Sequence, residues 1–102
     1  MEGRIKVTRH AEKRIRERSG IPKRAIKRSA QLAFDTGYRH SETKGRLREF
    51  LDAVYLREGT ANNMRVFGDK VYVFCNHTLV TVLQIPASIM KNIHSYVKED
   101  AQ

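Results

Sequence analysis

The chain is poor in cysteine and in long apolar segments. Its single cysteine, Cys75, excludes an internal disulfide bond and any zinc site built on several thiolates, and it is typical of a reducing compartment. No apolar run approaches the ~20 residues that a membrane-spanning helix needs. The N-terminal residues also lack the apolar stretch of a secretion signal. At 102 residues, the sequence predicts a soluble, cytoplasmic protein with a single domain spanning 1–102.

Acidic residues are scarce in the first half of the chain. The formal net charge is +9, from 20 Lys and Arg against 11 Asp and Glu. Residues 1–50 contain 15 basic and 6 acidic residues, whereas residues 51–102 contain 5 of each. A one-sided positive field is typical of a protein that meets a polyanion. Nucleic acid is therefore the expected partner, with an acidic protein or an anionic membrane surface as alternatives.

The first half of the chain has apolar residues at helical spacing. We predict a short strand at Arg4–Val7, helices from the N-cap Thr8 to Ser19, from Lys23 to Thr36 and from Arg46 to Arg57, and a polar loop at Tyr38–Gly45. The first helix has a narrow apolar stripe, essentially Ala11 and Ile15, so most of its surface is polar.

From residue 64 onward the apolar period changes to two. The runs Met64–Phe67, Lys70–Asn76 and Thr78–Ile85 are separated by turn residues, which predicts an antiparallel meander, followed by a weaker helix at Ala87–Val97. Alternation along the last strand places Thr81 on the same side as Leu79 and Leu83. The predicted fold class is α+β, with N-terminal helices packed on an antiparallel sheet of three to four strands and a short C-terminal helix.

His10 and Arg14 are the side chains of the first helix that suit phosphate chemistry. Their spacing of four places them on one helix face. Histidine can transfer a proton near neutral pH, and the planar fork of arginine can hold a phosphate. The alternative is structural: Glu17 forms salt bridges with Lys13 or Arg14, and His10 only shields the sheet edge.

Basic residues of the helices and of the polar loop are the candidates for binding nucleic acid. They are Arg9, Lys13, Arg14, Arg18, Lys23, Arg24, Lys27, Arg39 and Lys44. No two histidine or cysteine residues have a recognised metal-ligand spacing, and there is no glycine-rich phosphate loop. The sequence therefore predicts neither a metal nor a cofactor.

Three segments carry a resemblance to a known family. Thr8-Arg9-His10-Ala11-x-x-Arg14-x-x-Glu17-Arg18, Lys70-Val71-Tyr72-Val73-Phe74 and Thr78-Leu79-Val80-Thr81-Val82 resemble the RelE-like small proteins of the barnase–EndoU–colicin–RelE superfamily of ribonuclease toxins, and also small proteins of bacterial and phage genomes. The resemblance covers residues 5–86. It implies a helical layer on a four-stranded antiparallel sheet, metal-independent RNA cleavage, and catalytic roles for His10, Arg14 and Thr81. The third helix is an insertion relative to the smallest members, and the C-terminal end lacks the basic cluster that such toxins often have.

Three functional hypotheses follow. The first is a toxin-like endoribonuclease that uses the RNA 2′-hydroxyl as nucleophile, with RNA favoured over DNA and an antitoxin as a further partner. The second is a non-catalytic RNA- or DNA-binding protein. The third is a phage or mobile-element inhibitor of a host defence enzyme that acts on nucleic acid. None of these hypotheses involves a membrane.

Overall fold

The helices come before most of the sheet in the chain, as the sequence predicts. The computed structural model describes residues 3–59 and 61–98. The elements are β1 (Lys6–Val7), α1 (Arg9–Ser19), α2 (Lys23–Thr36), β2 (Tyr38–Arg39), α3 (Gly45–Arg57), β3 (Asn63–Phe67), β4 (Lys70–Cys75), β5 (Thr78–Gln84) and α4 (Ala87–Met90), with 3₁₀ turns at His40–Glu42 and Ile93–Tyr96. The α+β class and the short C-terminal helix are confirmed.

The sheet is mixed and larger than predicted. Among the described residues it has five strands in the order β1-β5-β4-β3-β2. The meander β3-β4-β5 is antiparallel, as predicted, whereas β1 pairs with β5 in parallel, with Lys6 opposite Thr78. The short β2 pairs with β3, so part of the predicted polar loop is a strand at the sheet edge.

Helices cover both faces of the sheet. On one face, α1 and α2 bury Ile15, Ile26 and Phe34 against Phe74 and Leu79. On the other face, α3 and the C-terminal segment pack on the sheet, and the buried side chains there are chiefly aliphatic: Leu47, Leu51, Val54, Val71, Val73, Ile85 and Ile89. The central strand β4 is therefore apolar on both sides, because each of its faces meets a helical layer.

A side-chain hydrogen bond and a left-handed glycine determine where α1 begins and ends. The Thr8 hydroxyl accepts a hydrogen bond from the backbone N–H of Ala11 at 3.1 Å, which satisfies one of the unpaired donors of the first turn. Gly20 follows the last turn with φ of 73°, a left-handed conformation that glycine adopts without steric cost. These residues place α1 over β5 with its charged side chains outward.

A β-bulge in β5 changes the side of the sheet toward which the Thr81 side chain points. Val73 lies opposite Thr81, but the next residue, Phe74, lies opposite Leu79, so Val80 is an extra residue in the ladder. Leu79 packs in the α1–α2 core, whereas Thr81 faces the α3 side together with its partner Val73. The prediction that Thr81 and Leu79 share a side is therefore wrong, because strict alternation fails at a bulge.

The predicted C-terminal helix is interrupted. It ends at Met90 and gives way to the 3₁₀ turn Ile93–Tyr96. The backbone N–H of Lys44 donates to the Tyr96 carbonyl at 2.8 Å, and the N–H of Lys98 donates to the Glu42 carbonyl at 2.9 Å. Val97 is extended, with φ of −120°, and forms an antiparallel bridge with Thr43, so the chain leaves the helix to pair with the residue 42–44 segment.

Candidate nucleic-acid interface

The lysines and arginines of α1 and α2 form a basic surface on the outer side of these two helices. Eight of the nine are exposed, and Arg14 is half-buried. The members are Arg9, Lys13, Arg14, Arg16, Arg18, Lys23, Arg24, Lys27 and Arg28. The two helices carry three acidic residues, Glu12, Glu17 and Asp35, so nine cations less three anions leave a formal charge of +6. Arg16 and Arg28 were not predicted as binding residues, although both occupy exposed positions on the same helices.

The cations of the basic surface form no ion pairs with carboxylates of the described residues. In the described part of the chain, the ion pairs within 4.0 Å are His40–Asp52 and Lys70–Asp69, and neither involves this surface. Glu17 therefore forms no salt bridge with Lys13 or Arg14 at that distance. Unpaired charges of one sign repel each other, and a polyanion relieves that repulsion.

A groove borders the basic surface along α2. It has a volume of about 1050 Å³ and lies between the N-terminal segment at Gly3 and Arg4 and the side of α2. Its cationic lining residues are Arg4, Arg24, Lys27 and Arg28, and its acidic one is Asp35. The backbone N–H of Ile5 donates to Gln31 Oε1 at 3.0 Å, which fixes the N-terminal segment beside the helix. Four of the eight residues that line the groove are cationic.

His10 and Arg14 lie one turn apart on α1. The His10 side chain is exposed and that of Arg14 is half-buried. Residues four apart on a helix have Cβ atoms roughly 6 Å apart, so both side chains can reach one phosphate. His10 has no carboxylate within 4.0 Å among the described residues. The ring is therefore accessible to a ligand, but no acidic partner fixes its orientation.

The structure does not bring Thr81 to this pair. Thr81 is fully buried, and its side chain faces the α3 side of the sheet, whereas α1 lies on the other side. Its Oγ1 has no hydrogen-bond partner among the described residues. The sheet itself separates the hydroxyl from His10 and Arg14.

Arg39 and Lys44 also lie apart from the basic surface. Arg39 is in the edge strand β2, and Lys44 directly precedes α3. Both side chains are exposed. Arg39 lines a smaller groove, of about 220 Å³, together with His40, Ser41, Tyr55, Asn62, Asn63 and Met64. The predicted binding residues thus divide between two places on the molecule.

His40 in this smaller groove makes the one imidazole–carboxylate pair of the described residues. Its Nε2 lies 2.6 Å from Oδ1 of Asp52 on α3. The 3₁₀ turn that carries His40 is fixed at both ends: the backbone N–H of Arg39 donates to Glu42 Oε1 at 2.8 Å, and the Thr43 hydroxyl donates to the His40 carbonyl at 2.7 Å. Sequence reasoning assigned His40 to a polar loop and missed the pair, because a separation of twelve residues across a loop matches no helix or strand period.

The described ranges contain no group of three or more His, Cys, Asp or Glu side chains placed to hold a metal ion. No helix within them is long and apolar enough to span a bilayer. Cys75 is a free thiol, half-buried at the end of β4.

Comparisons with known proteins add no further assignment. No family model, curated protein or solved structure matches this chain. The resemblance to RelE-like ribonucleases therefore remains a prediction from the three sequence segments that carry it.

Proposed function

We propose that this protein binds RNA through the basic surface and cleaves it without a metal ion, with the RNA 2′-hydroxyl as the nucleophile. The observation that carries the proposal is the set of nine cations on α1 and α2 that have no carboxylate within 4.0 Å among residues 3–59 and 61–98. Neutralisation of phosphates by such cations releases condensed counterions, which is the main source of sequence-independent affinity for nucleic acid.

The shape and composition of the surface favour a phosphate backbone over an acidic protein. Six of its nine cations are arginines, whose planar forks hold two phosphate oxygens at once. The residues of α2 that line the groove extend from Arg24 to Asp35, so a continuous strand can follow the helix there. RNA is favoured over DNA because the resemblance to RelE-like proteins implies RNA cleavage.

Cleavage by the 2′-hydroxyl requires a group that accepts its proton and a cation that stabilises the charge on phosphorus. The sequence assigns these roles to His10 and Arg14, and their exposure on one face of α1 supports access to RNA. A strand with 2′-deoxyribose at the cut position should resist cleavage, because it lacks the nucleophile.

A toxin of this kind would act in the cytoplasm of a bacterium, with an antitoxin that covers the basic surface. Two other functions use the same cations: non-catalytic binding of RNA or DNA, and inhibition of a host defence enzyme through its nucleic-acid channel. The product separates them. A 2′,3′-cyclic phosphate identifies the ribonuclease, whereas capture of a host enzyme with intact RNA identifies the inhibitor.

Binding is tested by measuring RNA affinity as a function of salt concentration. We expect the affinity of the wild type to fall steeply with salt. The double variant Arg14→Glu/Arg18→Glu should bind more weakly to every sequence. Removal of two phosphate contacts should also reduce the log–log slope by ~1.4, since a single strand contributes ~0.7 per phosphate.

The matched control is Lys91→Glu/Lys98→Glu, which changes the net charge equally at two exposed lysines outside the basic surface. We expect this control to retain most of the affinity. Equal losses in both double variants would mean that net charge alone is responsible. Salt-independent affinity would rule out a phosphate-binding surface.

A further inference from the structure

The groove beside β2 contains a histidine that is hydrogen-bonded to a carboxylate. His40 lines this groove and is 28% exposed, and its Nε2 lies 2.6 Å from Asp52 Oδ1. A carboxylate accepts and does not donate, so Nε2 carries the proton of this hydrogen bond. The other ring nitrogen, Nδ1, is then the one that can accept a proton. The hydrogen bond to Asp52 orients the ring.

The other residues that line the groove suit one nucleotide of a single strand. Arg39 supplies an exposed guanidinium for a phosphate. Tyr55 is 48% exposed, so part of its ring is accessible to an unpaired base, and its ring centroid lies 6.3 Å from that of His40. A cation, an aromatic ring and a proton acceptor therefore meet in one groove of about 220 Å³.

One wall of the groove is held rigid by paired amides. Asn62 Nδ2 donates to Asn76 Oδ1 at 3.0 Å, and the backbone N–H of Asn76 donates to Asn62 Oδ1 at 2.8 Å. Asn76 has φ of 57°, a left-handed conformation that asparagine tolerates and that these bonds stabilise. The groove is thus bounded by a fixed turn on one side and by α3 on the other.

We infer that His40, oriented by Asp52, takes the place of His10 as the group that accepts the 2′-hydroxyl proton, an inference that rests on the proposed function. The 2′-oxygen attacks the adjacent phosphorus while its proton passes to Nδ1 of His40. The bond from the 2′-oxygen to phosphorus forms, the bond from phosphorus to the 5′-oxygen breaks, and the leaving 5′-oxygen takes a proton from water. The products are a 2′,3′-cyclic phosphate and a 5′-hydroxyl, and Arg39 stabilises the charge that develops on phosphorus.

The groove and the basic surface lie on opposite sides of the sheet, because α1 and α2 cover one face, and Asp52 and Tyr55 lie on α3, which covers the other. One RNA strand that contacts both must therefore pass round an edge of the sheet. The Cα atoms of the molecule extend over 35 × 31 × 24 Å, which limits the length of that path. A strand longer than this path can contact the basic surface and present an unpaired nucleotide to His40.

The test uses an end-labelled single-stranded RNA oligonucleotide in the presence of a chelator. We compare the wild type with His40→Ala, and with His40→Gln, whose amide can still donate to Asp52 but cannot transfer a proton. Both should lose about 10²–10⁴-fold in kcat, the usual contribution of a positioned base. His94→Ala, an exposed histidine outside the groove, is the matched control and should cleave at the wild-type rate.

Asp52 is tested as a positioning residue. Asp52→Asn should lower kcat with little change in KM, because the ring remains in place but loses its carboxylate. Asp52→Glu should recover part of the rate, which a merely structural role would not explain. All these variants should bind RNA with the wild-type salt dependence, because the basic surface is unchanged.

The possible results test the role of His40, RNA cleavage and RNA binding separately. Wild-type cleavage by folded His40→Gln overturns the assignment to His40. If His10→Ala then loses activity, the proposed function stands with His10 as the base. A wild type that binds RNA without cleaving it overturns the assignment to His40 and the cleavage half of the proposal but leaves RNA binding. A wild type that does not bind RNA overturns both proposals.

Discussion

The guanidinium carbon of Arg65 lies 4.8 Å from the ring centroid of Phe34, and Arg65 Nη1 donates a hydrogen bond to the Phe34 carbonyl. Phe34 is in the last turn of α2, where backbone carbonyls have no partner within the helix. Arg65, buried in β3, therefore completes the C-terminal end of α2 with a hydrogen bond and a positive charge at the negative end of the helix dipole.

We expect Arg65→Met to lower the free energy of unfolding by about 1–3 kcal/mol, because it leaves a buried carbonyl without its donor. Urea denaturation measures the effect. Arg57→Met, at an exposed position of α3, is the control and should change stability by less than ~0.5 kcal/mol. Equal stability of the two variants would contradict the capping role of Arg65.

At Thr81 we expect a substitution to raise the stability of the protein, in contrast to Arg65→Met. Thr81→Val has nearly the same shape and removes an Oγ1 that has no partner among the described residues. We expect the free energy of unfolding to rise by about 1 kcal/mol, since an unsatisfied buried polar group costs roughly 1–3 kcal/mol. RNA cleavage should be unchanged. A large loss of activity in a stable Thr81→Val variant would instead support the catalytic role that the family resemblance implies.

A chelator should not affect RNA cleavage. In the proposed reaction the nucleophile comes from the RNA and the charge on phosphorus is stabilised by arginine, so no step uses a metal ion. We expect equal initial rates in EDTA and in Mg²⁺ at matched ionic strength, measured on an oligonucleotide without secondary structure. Loss of activity in EDTA with recovery on addition of Mg²⁺ would contradict the mechanism.

Acid should weaken the β3–β4 turn. A hydrogen bond from the side chain of Gln84, at 2.9 Å, and a second from Lys70, at 3.1 Å, lower the pKa of Asp69 below its ordinary value. Because the folded-state pKa is the lower one, this stabilisation is present above the unfolded-state pKa of ~3.9 and is lost as pH falls through the folded-state value. Its size is small, since Asp69 is largely exposed.

Urea denaturation between about pH 2 and 6 tests this expectation, because that interval includes the ordinary pKa of an aspartate. In Asp69→Asn the free energy of unfolding should fall less steeply below pH ~4 than in the wild type. Gln84→Ala removes the principal donor and should act in the same direction. An unchanged acid limb in both variants would show that the turn makes no contribution to acid sensitivity.

The sequence was sufficient to predict the features of the fold that depend on local periodicity. Ala11 and Ile15 on α1, and Leu47 and Leu51 on α3, are buried as their spacing predicts. The antiparallel meander was predictable from its turn residues. Gly68-Asp69, for example, ends β3 and connects it to β4.

The features that were missed depend on contacts between distant residues. The bulge at Val80 arises from pairing with β4 and has no local signal. The strand β2 has two residues and is defined by its register with β3. The His40–Asp52 pair joins a 3₁₀ turn to the second turn of α3, so its geometry depends on how the loop folds back onto that helix. Of the candidate site, the basic surface was predictable from composition, whereas the organised histidine was not.

The parallel pairing of β1 with β5 also sets the order in which the chain can assemble. Synthesis from the N-terminus produces β1, α1 and α2 well before β5, which is the strand on which α1 packs. The β3-β4-β5 hairpins close over short loops and can form early, whereas the contact from Lys6 to Thr78 spans most of the chain and carries a larger loop-closure entropy. On the ribosome, the basic surface is therefore made before the strand on which α1 packs, and it is among the last parts of this fold to acquire a fixed shape.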